Sequence, residues 1–145
     1  MKKEIIYGML GCAYLFTLSV QDMRRKSVSG IILVVGGVMA VVSQIILQMY
    51  SVEAVFGGFI AGCVFCGISW ITKEALGYGD SFLIMIIGIS IGIWNLIYVL
   101  FFAFFFASVC SIGILIKDRF SRKKGVPFVP FLSAGYVVFF LLEVV

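Results

Sequence analysis

Residues 81–116, SFLIMIIGISIGIWNLIYVLFFAFFFASVCSIGILI, are the longest run of the chain without a charged side chain. The run holds 36 residues. One helix crosses a bilayer with about 20 mostly apolar residues, so this run is too long for one helix and long enough for two short ones. Glycine and asparagine favour turns, and tryptophan favours membrane interfaces. We therefore expect a turn at Gly92, Trp94 and Asn95.

The rest of the chain contains four more long apolar runs, at residues 5–20, 30–49, 55–71 and 128–142. Overall, 63% of the residues are apolar and 12% are charged, against about 25% charged in a typical soluble domain. That leaves too few polar side chains to cover a water-soluble surface. Soluble classes, nucleic-acid binders among them, are therefore excluded despite the net charge of +4. We predict an all-α integral membrane protein with one domain over residues 1–145, built as a bundle of about six transmembrane helices with short loops.

Basic residues cluster on one side of the predicted bundle. The connections after the first, third and fifth helices hold nine of the eleven Lys and Arg residues. These nine are Arg24, Arg25, Lys26, Lys73, Lys117, Arg119, Arg122, Lys123 and Lys124. By the positive-inside rule, we expect these connections on the cytoplasmic side of the cell membrane and both termini outside. The same side chains favour contact with anionic lipids of the bilayer.

The available residue types restrict the chemistry. The chain has no His, which excludes Ser-His-Asp triads, Cys-His dyads and His-ligated zinc. Its four cysteines, Cys12, Cys63, Cys66 and Cys110, all fall in predicted helices. Cys63 and Cys66 have CxxC spacing, but without a second pair they favour apolar packing over a metal site. We expect no metal ion and no other cofactor.

Small residues recur at a spacing of four within two of the predicted helices. Gly58 with Gly62, and Gly88 with Gly92, have this spacing. Small residues one turn apart lie on the same face of a membrane helix and let a neighbouring helix approach closely. We therefore expect these glycines to lie at helix–helix contacts, which is a structural and not a functional role.

Two of the seven carboxylates are distinguished by their positions. Asp22 directly follows the first predicted helix and Asp80 directly precedes the fourth, so both lie at the membrane boundary on the basic side. A simple interpretation makes Asp22 a boundary charge beside Arg24 and Asp80 a helix N-cap. However, carboxylates at the edge of the hydrocarbon are costly and often mark functional sites. Two close carboxylates share a proton, so one activates a water while the other protonates a leaving amine.

Glycines lead into the second aspartate. Gly77 and Gly79 permit backbone torsions that are closed to other residues, and they let a peptide substrate approach Asp80. Tyr78 lies between them and is interpreted as an interfacial anchor. The segment thus has the composition of an active-site loop.

Three stretches resemble a known family. Residues 77–80, GYGD, match the GxGD motif of intramembrane aspartic peptidases. Residues 22–28, DMRRKSV, resemble the first-aspartate loop of prepilin peptidases, and residues 127–131, PFVPF, resemble the proline-containing stretch that opens their last helix. The resemblance extends from the first helix to the last. It implies that Asp22 and Asp80 are the catalytic pair.

The resemblance also implies an activity. Prepilin peptidases hydrolyse the bond after the short basic leader, or class III signal peptide, of prepilin-like membrane proteins at the cytoplasmic membrane face. The apolar helix of such a substrate would lie against the enzyme within the bilayer. Arg24, Pro127 and Pro130 are then candidates to position the substrate or the loops.

The chain also departs from the larger family members. Those members carry an N-terminal region with paired CxxC motifs and methylate the new N-terminus, whereas this chain begins directly with its first helix. We expect the short, peptidase-only branch that processes tight-adherence pilins and archaeal flagellins, without methyltransferase activity. Many members have Pro where Ser29 stands and Lys where Phe82 stands.

A different class of function also fits the carboxylates. In this alternative the chain is a small non-enzymatic multi-pass membrane protein, either a carrier or a pilus-assembly subunit, whose boundary carboxylates bind a cation or cap helices. The interiors of the predicted helices hold no charged residue, whereas a carrier usually places one near the bilayer midplane. This absence favours the peptidase.

Overall fold

The computed structural model describes residues 2–25, 29–73, 77–117 and 127–145. All regular structure within these ranges is helical. The helices are α1 (Lys2–Arg25), α2 (Gly30–Leu47), α3 (Val52–Ile71), α4 (Tyr78–Lys117) and α5 (Val129–Val144). The first four are long and apolar enough to cross a membrane, and α5 is shorter. The prediction of a helical membrane protein is therefore confirmed.

The count of six helices stays a prediction, because five helices are assigned among the described residues and α4 is assigned as one helix across the expected turn. Gly92 interrupts the helical conformation there, with φ 76° and ψ 167°. Residues with a Cβ rarely adopt this φ. The Asn95 side-chain amide donates to the Ile91 carbonyl over 3.0 Å and satisfies an acceptor beside the interruption. One glycine thus kinks α4 at the position where a turn was expected.

The basic residues are only partly within the described ranges. Arg24 and Arg25 end α1, Lys73 follows α3 and Lys117 ends α4. The other five basic residues assigned to the cytoplasmic side lie outside the described residues, namely Lys26, Arg119, Arg122, Lys123 and Lys124. The location of the termini outside the cell stays a prediction.

The described residues group into two compact units, and the first contains α1, α4 from Tyr98 onward and α5. Here α1 packs against α5. Gly8 lies against the ring of Phe140 and Gly11 against the ring of Tyr136, with no room for a Cβ at either glycine. Apolar side chains exposed by at most 1% form the core of this unit: Leu15, Leu18, Val99, Ala103, Val129 and Leu132.

The second unit contains α2, α3 and α4 as far as Ile97. Within it, the backbone of Gly58 in α3 directly contacts the backbone of Gly88 in α4. One turn further along α3, Gly62 lies against Met85. The predicted close approach of helices at these three glycines is confirmed. These glycine contacts hold α3 against the half of α4 that begins at the GxGD segment.

Candidate active site

Asp22 lies inside α1, one turn before the helix ends at Arg25, and not directly after the helix as the sequence predicts. The helix extends beyond its apolar run because Arg24 and Arg25 in the last turn interact favourably with the helix dipole. The Asp22 side chain is buried, with 6% of its surface exposed. Its Oδ2 is buried and has no hydrogen-bond partner among the described residues.

The amino end of α5 faces this carboxylate. The backbone N–H of Val129, the first residue of α5, donates a hydrogen bond to the Asp22 carboxylate. Pro130 has no N–H, and the next two N–H groups of the helix both donate to the Phe128 carbonyl, over 3.0 and 3.1 Å. Helix amino termini favour negative charge. The proline-containing stretch is therefore brought to the first aspartate, where one carboxylate oxygen accepts the Val129 N–H and Oδ2 has no partner among the described residues.

The candidate positioning residues and the residue before Asp22 differ in their burial. Arg24 is exposed on the last turn of α1, and Pro127 and Pro130 are half-buried at the start of α5. The side-chain oxygen of Gln21 is buried and, within the described ranges, has no hydrogen-bond partner. Sequence reasoning missed Gln21, whose signal was an amide side chain next to the aspartate in an otherwise apolar helix.

Asp80 lies in the first turn of α4, which begins at Tyr78. It is therefore not the N-cap residue that the simpler interpretation expected. Its N–H and that of Ser81 donate to the Gly77 carbonyl over 3.1 and 3.2 Å. A Cβ on Gly77 would lie 3.3 Å from Asp80 Oδ2, so the absence of a side chain there leaves room for the carboxylate.

Ser81 follows the second aspartate and is completely buried. Its hydroxyl donates to the Phe65 carbonyl in α3 over 3.2 Å and also lies 3.4 Å from the Gly77 carbonyl. Phe82 is 47% exposed, and Gly79 is half-buried. The sequence did not predict a role for Ser81, because a serine before an apolar run has no distinctive spacing.

The described residues that could bind a metal are scattered. Nowhere in the described ranges do three His, Cys, Asp or Glu side chains lie together as metal ligands. Cys12, Cys63, Cys66 and Cys110 are free thiols. Asp22 belongs to the first compact unit and Asp80 to the second. The approach of the two carboxylates to each other stays a prediction.

Comparison with known proteins identifies the family. The model of the type IV leader peptidase family matches residues 9–112, more than half of the chain. The chain belongs to this family. Asp22 and Asp80 both lie within the matched residues, whereas the proline-containing stretch at residues 127–131 lies after them. Neither the curated proteins nor the solved structures gave a match.

Family membership and fold together define the class of this protein. Type IV leader peptidases are hydrolases that cut peptide bonds, and the apolar helices make this member a membrane protein. The prediction of the prepilin peptidase family is therefore confirmed.

Proposed function

We propose that this leader-peptidase family member is a membrane aspartic endopeptidase. It removes the short basic leader of prepilin-like proteins at the cytoplasmic membrane face, with Asp22 and Asp80 as its catalytic pair. The observation that carries the proposal is the Asp22 carboxylate, which is buried and held by the Val129 N–H at the amino end of α5 while its Oδ2 has no partner among the described residues.

The reaction needs one proton shared between the two carboxylates. The ionised carboxylate takes a proton from a water, whose oxygen attacks the scissile carbonyl carbon. The protonated carboxyl then gives its proton to the leaving amine as the C–N bond breaks. The products are a new carboxylic acid and a free amine, and the pair again holds one proton. In this scheme Asp22 Oδ2 is the oxygen that binds the water.

The expected substrate explains the setting of the site. A prepilin-like protein carries an apolar helix beyond the cleavage site, and that helix is soluble only in the bilayer. An enzyme built from apolar helices, with its aspartates near helix ends, meets such a substrate without extracting it from the lipid. Neither a metal nor another cofactor takes part in the proposed chemistry.

Co-expression with a prepilin-like substrate tests the proposal through the size of the product. Asp22→Asn and Asp80→Asn each keep the shape of the side chain and remove its acid–base function. Each should slow cleavage by about 10²–10⁴-fold, the usual contribution of general acid–base catalysis. Glu53→Gln is the matched control, since Glu53 is an exposed carboxylate in the first turn of α3. Cleavage at the parental rate by either Asn variant contradicts the proposal.

A further inference from the structure

The Ser81 hydroxyl connects two helices, which distinguishes it from a typical serine in this fold. It is completely buried and donates to a carbonyl of α3, that of Phe65, over 3.2 Å. The Ser90 hydroxyl in the same helix α4 donates to the Ile86 carbonyl, four residues earlier, over 2.9 Å, and Ser81 has the corresponding contact with the Gly77 carbonyl at 3.4 Å. Hydroxyls in membrane helices commonly bond within their own helix in this way. The shorter contact of Ser81, with Phe65, is to a different helix and is therefore tertiary.

The same hydroxyl also lies beside the carbonyl that organises the first turn of α4. The Gly77 carbonyl lies 3.4 Å from Ser81 Oγ and accepts the N–H groups of Asp80 and Ser81. Asp80 Oδ2 in turn lies over Gly77, 3.3 Å from where a Cβ would be. A displacement of Gly77 or Ser81 would thus displace the Asp80 carboxylate with it.

Little else on this first turn is buried. Tyr78 and Phe82 are 39% and 47% exposed, while Leu83 and Ile84 of the next turn are completely buried. Helix ends fray because their first N–H groups lack intrahelical acceptors. A buried hydrogen bond to the neighbouring helix opposes this fraying at the residue that follows the aspartate.

We propose that Ser81 is a positioning residue for Asp80, acting through its hydrogen bond to the Phe65 carbonyl. The bond holds the first turn of α4 against α3 and keeps the carboxylate where the reaction needs it. Catalytic groups have to be held to within about 0.5 Å. This inference rests on the proposed function, because it assigns Ser81 a role in the same reaction.

The test compares Ser81→Ala with Ser90→Ala in the full-length chain, reconstituted in lipid with a synthetic prepilin-like peptide. A misplacement of about 1 Å costs up to about 10²-fold in rate, so Ser81→Ala should lower kcat by about 10–100-fold and change KM less than about twofold. It should also shift one limb of the pH profile of kcat, because the distance between the two carboxyl groups would change. Ser90→Ala should keep the parental kcat and pH profile.

A second variant distinguishes a displaced carboxylate from a loss of folding. Ser81→Cys fills nearly the same space and keeps a weak donor, so its kcat should lie between those of the parent and Ser81→Ala. Thermal unfolding of every variant is measured alongside. If a folded Ser81→Ala variant keeps the parental kcat and pH profile, the positioning role of Ser81 is refuted, while the proposed function of the protein still stands. An inactive parent chain would instead contradict the proposed function, and this inference with it.

Discussion

The contact between Gly58 and Gly88 predicts how sensitive the α3–α4 pair is to a single methyl group. A Cβ on residue 88 would lie 2.7 Å from the Gly58 carbonyl oxygen and 2.9 Å from its carbonyl carbon and Cα. These are backbone atoms, which cannot rotate away as a side chain can. Nonbonded carbon contacts are comfortable at about 3.5–4.0 Å. Moving the carbon atoms from 2.9 Å to about 3.5 Å therefore requires the two helices to separate locally by about 0.6 Å in Gly88→Ala.

The free energy follows from a comparison of two alanine variants of the same helix. Gly113 in α4 has no neighbouring atom within 4 Å of the position that a Cβ would occupy. Replacement of glycine by alanine stabilises a helix interior by about 0.5–1 kcal/mol, and this gain is shared by both sites. Overpacking a tight contact costs about 1–3 kcal/mol. Gly88→Ala should therefore be less stable than Gly113→Ala by about 1–3 kcal/mol.

Reversible unfolding in mixed micelles gives the free energy of unfolding of both variants and of the parent. Gly67→Ala provides a second control, on α3, because its Cβ would also meet open space. Equal stabilities of Gly88→Ala and Gly113→Ala would refute the reasoning. That result would mean that α3 and α4 separate at no cost and that the glycines do not set their distance.

Three further predictions concern the proposed catalytic pair. Gly77→Ala would place a Cβ 3.3 Å from Asp80 Oδ2, so the carboxylate has to move by a few tenths of an ångström. Because of this displacement, kcat should fall by about tenfold. The thermal stability of the variant should equal that of the parent. Gly30→Ala, at a helix start with open space around it, is its control, and equal kcat values for both variants would contradict the steric argument. If the two aspartates share a proton, kcat/KM should follow a bell-shaped pH profile with two apparent pKa values. A chelator should leave the rate unchanged, and a flat profile from acidic to neutral pH would contradict the shared proton.

The amino-acid sequence was sufficient for the class of the fold and for the family. Apolar runs predict membrane helices because the free energy of insertion depends on local composition and length, and α2 begins at Gly30 as the second run predicts. The GxGD segment and the upstream aspartate predicted a family that an independent match to residues 9–112 confirms. Motif spacing of this kind is readable because both aspartates stand next to helix ends, where a charge interrupts an apolar run.

Contacts between residues that are far apart in the sequence could be identified only from the tertiary structure. Composition does not distinguish a turn from a kink, so the left-handed backbone of Gly92 inside α4 was visible only in three dimensions. The hydrogen bond from Val129 to Asp22 and that from Ser81 to Phe65 each join residues from different helices. Such bonds require two helices to pack in one register, and packing is set by the shapes of both surfaces together. The sequence therefore predicts which residues are candidates for the chemistry, while the packing of the helices determines which backbone and side-chain atoms contact them.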